Sequence, residues 1–214
     1  MLPLFSMIGG GVDEFPFVQA KTQSEDTSAG TSHVVSLPAG VEDGDLLIVG
    51  FSTPANDIIT WPGGWTVAFG DQVSAPDLEV AFRVASGEGA TITVTTSGSV
   101  TSLHLSYSIR GHLGILDDAS SQTGSDINPD PTSLTPFWGN RKGLFIPFAA
   151  AAGGSASSMS SAPSNYTDLS QIGESAHVIA AAQRQIKTTT ENPGTFTLSG
   201  TSPWIANTIG IRGI

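Results

Sequence analysis

The second half of this chain repeats the first, and nothing else in the sequence restricts the fold as much. Five segments recur in the same order. "SLPAG" at 36–40 meets "SLTPF" at 133–137, and "LLI" at 46–48 meets "LFI" at 144–146. "PGGWT" at 62–66 meets "PSNYT" at 163–167, "AFR" at 81–83 meets "AQR" at 182–184, and "SIRG" at 108–111 meets "GIRG" at 210–213. The separations drift from 97 to 102 residues, as short loop insertions would make them. Between the last two segments, "GATITV" corresponds to "PGTFTL". A module that occurs twice in one chain must either bury its apolar face within itself or share it with its twin.

The repeated segments read as strands. In "ATITVTT", Ile92 and Val94 face one way and the threonines the other, the period of a half-buried strand. "DLLIVGF" is apolar throughout, as expected of a central strand covered on both faces. "PAGVEDGD", "PGG", "SGEG" and "SGS" supply the turns. The alanines of "SAHVIAAAQRQI" (175–186) favour a helix. That stretch nevertheless stands where "LEVAFRVAS" stands in the first repeat, so a strand is expected. Trp65 and Tyr166 become equivalent core aromatics just after a turn. The expected fold is an all-β, jelly-roll-like β-sandwich of two repeated halves around one core, with an extended N-terminal arm. The expected boundaries are arm and polar linker over 1–30, first repeat 31–111, bridge 112–127 and second repeat 128–214. Residues 152–164 read as a low-complexity loop corresponding to "STPANDIITWPGG".

Charge narrows the partners. Eight Lys and Arg against 19 Asp and Glu give a net charge of −11, which repels phosphate backbones and anionic bilayers. Neither nucleic-acid binding nor membrane insertion is expected. With no cysteine, disulfides, thiolate metal sites and Cys nucleophiles are ruled out. The opening "MLPLFSMIGGG" is apolar but has no basic start, long hydrophobic stretch or clear cleavage site. It reads as an arm that docks on something through Leu2, Leu4, Phe5, Met7 and Ile8, with Phe15 and Phe17 as further anchors.

Catalytic and cofactor signatures are missing: no P-loop, GxSxG elbow or HExxH occurs. No cofactor is expected, and the expected function is non-enzymatic. His33, His104, His112 and His177 stand on separate strands without ligand spacing, and read as ordinary strand histidines. Asp126, Asn128 and Asp130 alternate like the start of a calcium loop. Pro131 then breaks the pattern, and no bidentate Glu follows at the right place. Among the tryptophans, Trp61, before Pro62, is the one expected to be most exposed and is the possible glycan contact. Arg110 and Arg212 are equivalent by the repeat, each poised to pair with acids at a sheet rim or to line an interface.

"SLPAGVEDGDLLIVGF", "TWPGGWTVAF" and "LEVAFRVASGEGATITVTT" together resemble a family of β-sandwich virion-associated proteins of tailed bacteriophages and prophages. Members of that family carry an LPAGxxxGDLL segment, a WPxGW turn and an "AYR"-like strand in this order. Here Phe82 replaces the tyrosine. The resemblance covers most of 31–111 and, more loosely, 128–213. It implies a structural protein on the outer surface of the virion, with major capsid or tail proteins as partners, and a homo-oligomer. A capsid decoration is the first expectation. A tail or fibre component binding host glycan is the alternative.

Overall fold

Residues 46–53 carry no charge and are buried along their whole length, which forces them to the middle of a layered structure. The computed structural model describes residues 14–71 and 76–214. In the first half the strands are β1 (Phe17–Ser36), β2 (Leu46–Thr53), β3 (Ile59–Thr60), β4 (Thr66–Asp71), β5 (Asp77–Val84) and β6 (Thr91–Arg110). They form an antiparallel sheet in the order β1-β6-β2-β5-β4, with β3 also on β6. The second half supplies β7 (His112–Asp118), β8 (Gln122–Asp126), β9 (Arg141–Ala152), β10 (Met159–Ser161), β11 (Thr167–Glu174), β12 (His177–Thr188), β13 (Thr197–Leu198) and β14 (Ser202–Gly213). Its sheet runs β11-β12-β9-β14-β7, with β8 also on β14, while β10 pairs with β13. The main paths of the two sheets match, β4-β5-β2-β6-β1 against β11-β12-β9-β14-β7.

The duplicated turn is the same turn in both halves. Trp65 N–H donates to the Pro62 carbonyl (3.4 Å) and Tyr166 N–H to that of Pro163 (3.1 Å). The third residue has positive φ in each, 89° at Gly64 and 66° at Asn165, so a glycine can exchange only for a residue that tolerates the left-handed region. The expected strand over "SAHVIAAAQRQI" is β12, despite its helical propensity. Its alanines let a strand lie between two cores: Ala181 packs inward with Ile179, and Ala180 and Ala182 pack outward.

Two expected boundaries are corrected. The polar linker before residue 31 belongs instead, from Phe17 on, to strand β1, paired with β6 from Phe17↔Arg110 to Ser36↔Thr91. It looked like a linker because an edge strand with one wet face is half polar. The bridge over 112–127 is likewise strand: β7 and β8 pair with β14 as β1 pairs with β6. One long strand in the first half is two short ones in the second, which hid the equivalence. Within the 152–164 loop, β10 gives Met159 to the core.

The halves share one core and each keeps a second. Between the sheets lie Leu46, Ile48, Leu105 and Ile109 from one half and Leu144, Ile146, Phe148 and Ile209 from the other. Outside the first sheet, the bent β1–β6 ribbon closes over Leu47, Val49 and Phe51 with Val35 and Val94. Outside the second, Phe196, Leu198, Met159 and Tyr166 cover Phe145, Ala149 and Ala180.

One contact in the shared core accounts for a difference between the repeats. By the repeat, Gly50 corresponds to Phe148. A Cβ on Gly50 would stand 2.6 Å from Phe148 Cε1. Two phenylalanines would collide there and two glycines would leave a void. Phe148→Ala is therefore expected to cost about 3–5 kcal/mol, and Gly50→Val to destabilise through overpacking. Combining Gly50→Val with Phe148→Ala should recover part of the loss. Urea unfolding of the three variants checks this, and strictly additive losses would refute the coupling.

Candidate functional site

The described chain enters the body at one end of the sandwich, against both halves. Glu14 N–H donates to the Ile214 carbonyl (2.8 Å), and Ile214 N–H to that of Gly111 (3.3 Å). Gln185 Nε2 donates to the Pro16 carbonyl (2.8 Å). Lys142 Nζ lies 5.0 Å from the centre of the Phe15 ring. Phe17 then joins β1 opposite Arg110 and remains 44% exposed. Of the expected anchors, Phe15 and Phe17 thus sit at the entry point. Leu2, Leu4, Phe5, Met7 and Ile8 lie outside the described residues.

Arg110 organises the first-half rim of the same end. Its Nε donates to Asp45 Oδ1 (2.7 Å) and its Nη2 to Asp45 Oδ2 (3.2 Å), while Glu42 Oε1 lies 3.1 Å from Nη2. Ser108 Oγ adds a bond to Asp45 Oδ2 (2.8 Å). Burial works against ionising Asp45, but the bonds from Arg110, Glu42 N–H and Ser108 outweigh it and hold the carboxyl below its usual range. Nearby, His112 Nε2 donates to the Gly44 carbonyl (3.0 Å) and Nδ1 accepts from Gly114 N–H (2.8 Å), so this imidazole is neutral.

The histidines that spacing kept apart are brought together by the fold. His33 and His104 are fully buried on the outer face of the first sheet, with Phe51 stacked on His104 at 4.9 Å. Their protons can be placed from one end of a hydrogen-bonded chain. Thr96 Oγ1 donates to the Gly98 carbonyl (2.8 Å), so it must accept from His33 Nε2 (2.9 Å). His33 Nδ1 then accepts from Ser102 Oγ (2.8 Å), which accepts from His104 Nε2 (2.8 Å). His104 Nδ1 accepts from Ser24 Oγ (2.9 Å), which accepts from Ser36 N–H (3.0 Å). Every proton is used once, and both rings are neutral. Burial pushes the His104 imidazole down to about 3, and lowers that of His33 as well.

His177 sits apart, on the inner face at the opposite end of the sandwich. Ser52 Oγ donates to the Asp77 carbonyl (2.7 Å) and so accepts from His177 Nε2 (2.9 Å). Its Nδ1 is buried without a hydrogen-bond partner, and burial lowers the imidazole to about 4. A cavity of about 340 Å³ beside it is lined by Pro54, Thr101, Glu174 and Ser175. A second, of about 360 Å³, lies where β1 meets β11; Lys21 binds Asp168 Oδ1 (2.5 Å) and Ser170 Oγ (2.9 Å) there.

Trp61 is not the exposed ring expected of it. It is half-buried, its Nε1 donates to Glu79, and it stacks on Trp65 with centroids 5.6 Å apart. Phe51 meets it edge-on at 6.1 Å. Trp65 is likewise only half-buried, whereas its counterpart Tyr166 is buried and donates to Glu191 Oε1 (3.1 Å). In the calcium candidate, Asp126 Oδ1 accepts from Trp204 Nε1 (2.9 Å) and Asn128 N–H (2.7 Å), so it closes a local turn. Among the described residues, no group of three or more His, Cys, Asp or Glu could hold a metal.

Sequence reasoning missed the His33–His104 chain. The one available signal was "TSLHLSYSIR", where Ser102, His104, Ser106 and Ser108 alternate with Leu103, Leu105, Tyr107 and Ile109. That pattern reads as a wet face opposite a dry one. Both faces are buried, because the ribbon of β1 and β6 folds back over the polar one. No protein-family model matches this chain, and comparison with curated proteins and with solved structures finds no match.

Proposed function

We propose that this protein is a non-enzymatic structural component of the outer surface of a tailed-phage particle, attached as a capsid decoration through its N-terminal residues. The observation that carries this reading is the pinned entry point. Glu14, Phe15 and Pro16 are tied to the C-terminus, Lys142 and Gln185, against both halves of the body. Leu2, Leu4, Phe5, Met7 and Ile8 immediately precede that point. Apolar side chains on a segment rooted in a duplicated, strand-built body suit attachment of the body to a shell. Binding only the assembled shell would stabilise it by mass action. The resemblance of residues 31–111 to virion-associated β-sandwiches agrees with this reading. So does the placement of His33 and His104, whose ring nitrogens bond to hydroxyls within the fold.

The test is the copy number in purified particles, by quantitative mass spectrometry against the major capsid protein. Hundreds of copies are expected. A handful would move the protein to the tail or fibre and put host-glycan binding first, and none would end the virion reading. Deleting residues 1–13 should abolish attachment while leaving the thermal unfolding of the body within a few degrees of the full chain.

A further inference from the structure

The repeat supplies a template for something the second half lacks. In the first half, Arg110 is clamped by Asp45 and Glu42 from the loop "VEDGD". Aligned on "LLI" and "LFI", Glu42, Asp43, Gly44 and Asp45 correspond to Asn140, Arg141, Lys142 and Gly143. The two acids that hold Arg110 thus correspond to a neutral Asn140 and to Gly143, and two cations, Arg141 and Lys142, stand between them. Arg212 pairs in register with Gly143 on β9, and Thr188 with Arg141. Lys187, next along β12, pairs with Lys142. Four of the eight Lys and Arg residues of a chain with net charge −11 therefore gather at this one rim. Arg212 Nε is buried there without a hydrogen-bond partner. The nearest carboxylate on β7, Asp117, is spent on the N–H groups of Phe137 (2.7 Å) and Asp118 (3.1 Å).

We infer that the rim formed by Arg212 and Arg141 is a docking site for carboxylates of a partner protein, an acidic segment meeting the outer end of the half-buried Arg212 as Glu42 meets Arg110 at Nη2. The template argues for a carboxylate, because the equivalent guanidinium pairs with two of them, Asp45 and Glu42. The rim adjoins the entry point: Phe15 packs on Lys142, and Ile214 follows Gly213. Exposed apolar groups stand at the same end, Phe137 at 69% and Ile214 at 42%. An acidic, partly apolar surface would therefore meet the rim and the entry point at Phe15 together. This inference rests on the attachment reading and names the chemistry of the surface contacted.

The experiment uses the full-length, ¹⁵N-labelled chain and an acetylated, amidated hexaglutamate peptide, with hexalysine as control. Arginine Nε–Hε signals are followed by NMR. Hexaglutamate is expected to shift the Arg212 signal saturably and leave that of Arg110, already sealed by Asp45, in place. Arg212→Gln should weaken binding at least tenfold. Asn140→Glu, at an exposed loop position, restores the acid that Glu42 supplies to Arg110 and should weaken binding similarly without unfolding the chain. No shift at millimolar peptide, or unchanged binding by both variants, would overturn the proposal. Equal competition by inorganic phosphate would reassign the rim to a phosphate ligand. Self-association lost in Arg212→Gln would reassign it to a second copy. The particle copy number is read independently, so loss of the virion reading and loss of this site are separate outcomes.

Discussion

Replacing Ser102 with alanine is expected to destabilise the protein by about 2–6 kcal/mol, because one small hydroxyl serves two buried rings. Its proton satisfies His33 Nδ1 and its oxygen satisfies His104 Nε2–H, both at 2.8 Å. Neither ring can turn to a new partner. His33 is held at Nε2 by Thr96, and His104 at Nδ1 by Ser24 and across its face by Phe51. Each orphaned group costs about 1–3 kcal/mol in a dry site, against a typical domain stability of about 5–15 kcal/mol. The same strand carries its own control. Ser106 points to the same side of β6 and is equally buried, but its Oγ has no hydrogen-bond partner. Ser106→Ala removes an unpaired hydroxyl and is expected to be neutral or stabilising. Urea midpoints of the two variants at pH 8 decide the matter. Equal midpoints would show that the hydrogen-bond chain has been assigned wrongly.

The fold was legible wherever the two repeats could be laid on each other. The strand over 177–188 shows this best: its alanines alone favour a helix, and only its counterpart over 77–84 identified it. Legibility failed where one copy had changed its form. Strand β1 is a single ribbon of 20 residues, whereas β7 and β8 share its role, so both stretches were read as connections. The outer cores were hidden for a related reason. Phe51 and His104 fill the first one, while the corresponding positions, Ala149 and Ala206, leave room for Trp204 and Phe196 in the second. Pattern reading finds faces, but not which far-off segment covers them. The equivalence of Arg110 and Arg212 was legible from "IRG" alone. That one has acids and the other none follows from loops of opposite charge, "VEDGD" and "GNRKG", which resemble each other only in position.

Acid is expected to loosen this protein well above the carboxylate range. His104 and His177 are neutral when folded, with their imidazoles lowered to about 3 and about 4. An unfolded chain protonates the same groups near 6.5. Between those limits the unfolded state binds more protons, so stability is fully present above about pH 6.5 and falls as the pH drops. The two rings together should withdraw about 4 kcal/mol by pH 5 and about 8 kcal/mol by pH 3. His33 and His112 shift in the same direction and add to the slope. Asp45, held low by Arg110, also loses its contribution on acidification, but only as the pH falls through its usual carboxylate range and below, so it leaves the upper window to the histidines. The measurement is the unfolding free energy from urea titrations at intervals between pH 8 and 4, in wild type and in His104→Gln. Whatever the substitution costs at pH 8, it should remove about one proton from the slope, about 1.4 kcal/mol per pH unit. An unchanged slope would mean that His104 is already protonated in the fold. The hydrogen-bond chain from Ser36 to Gly98 would then have to be drawn differently, because a charged ring has no acceptor to offer Ser24.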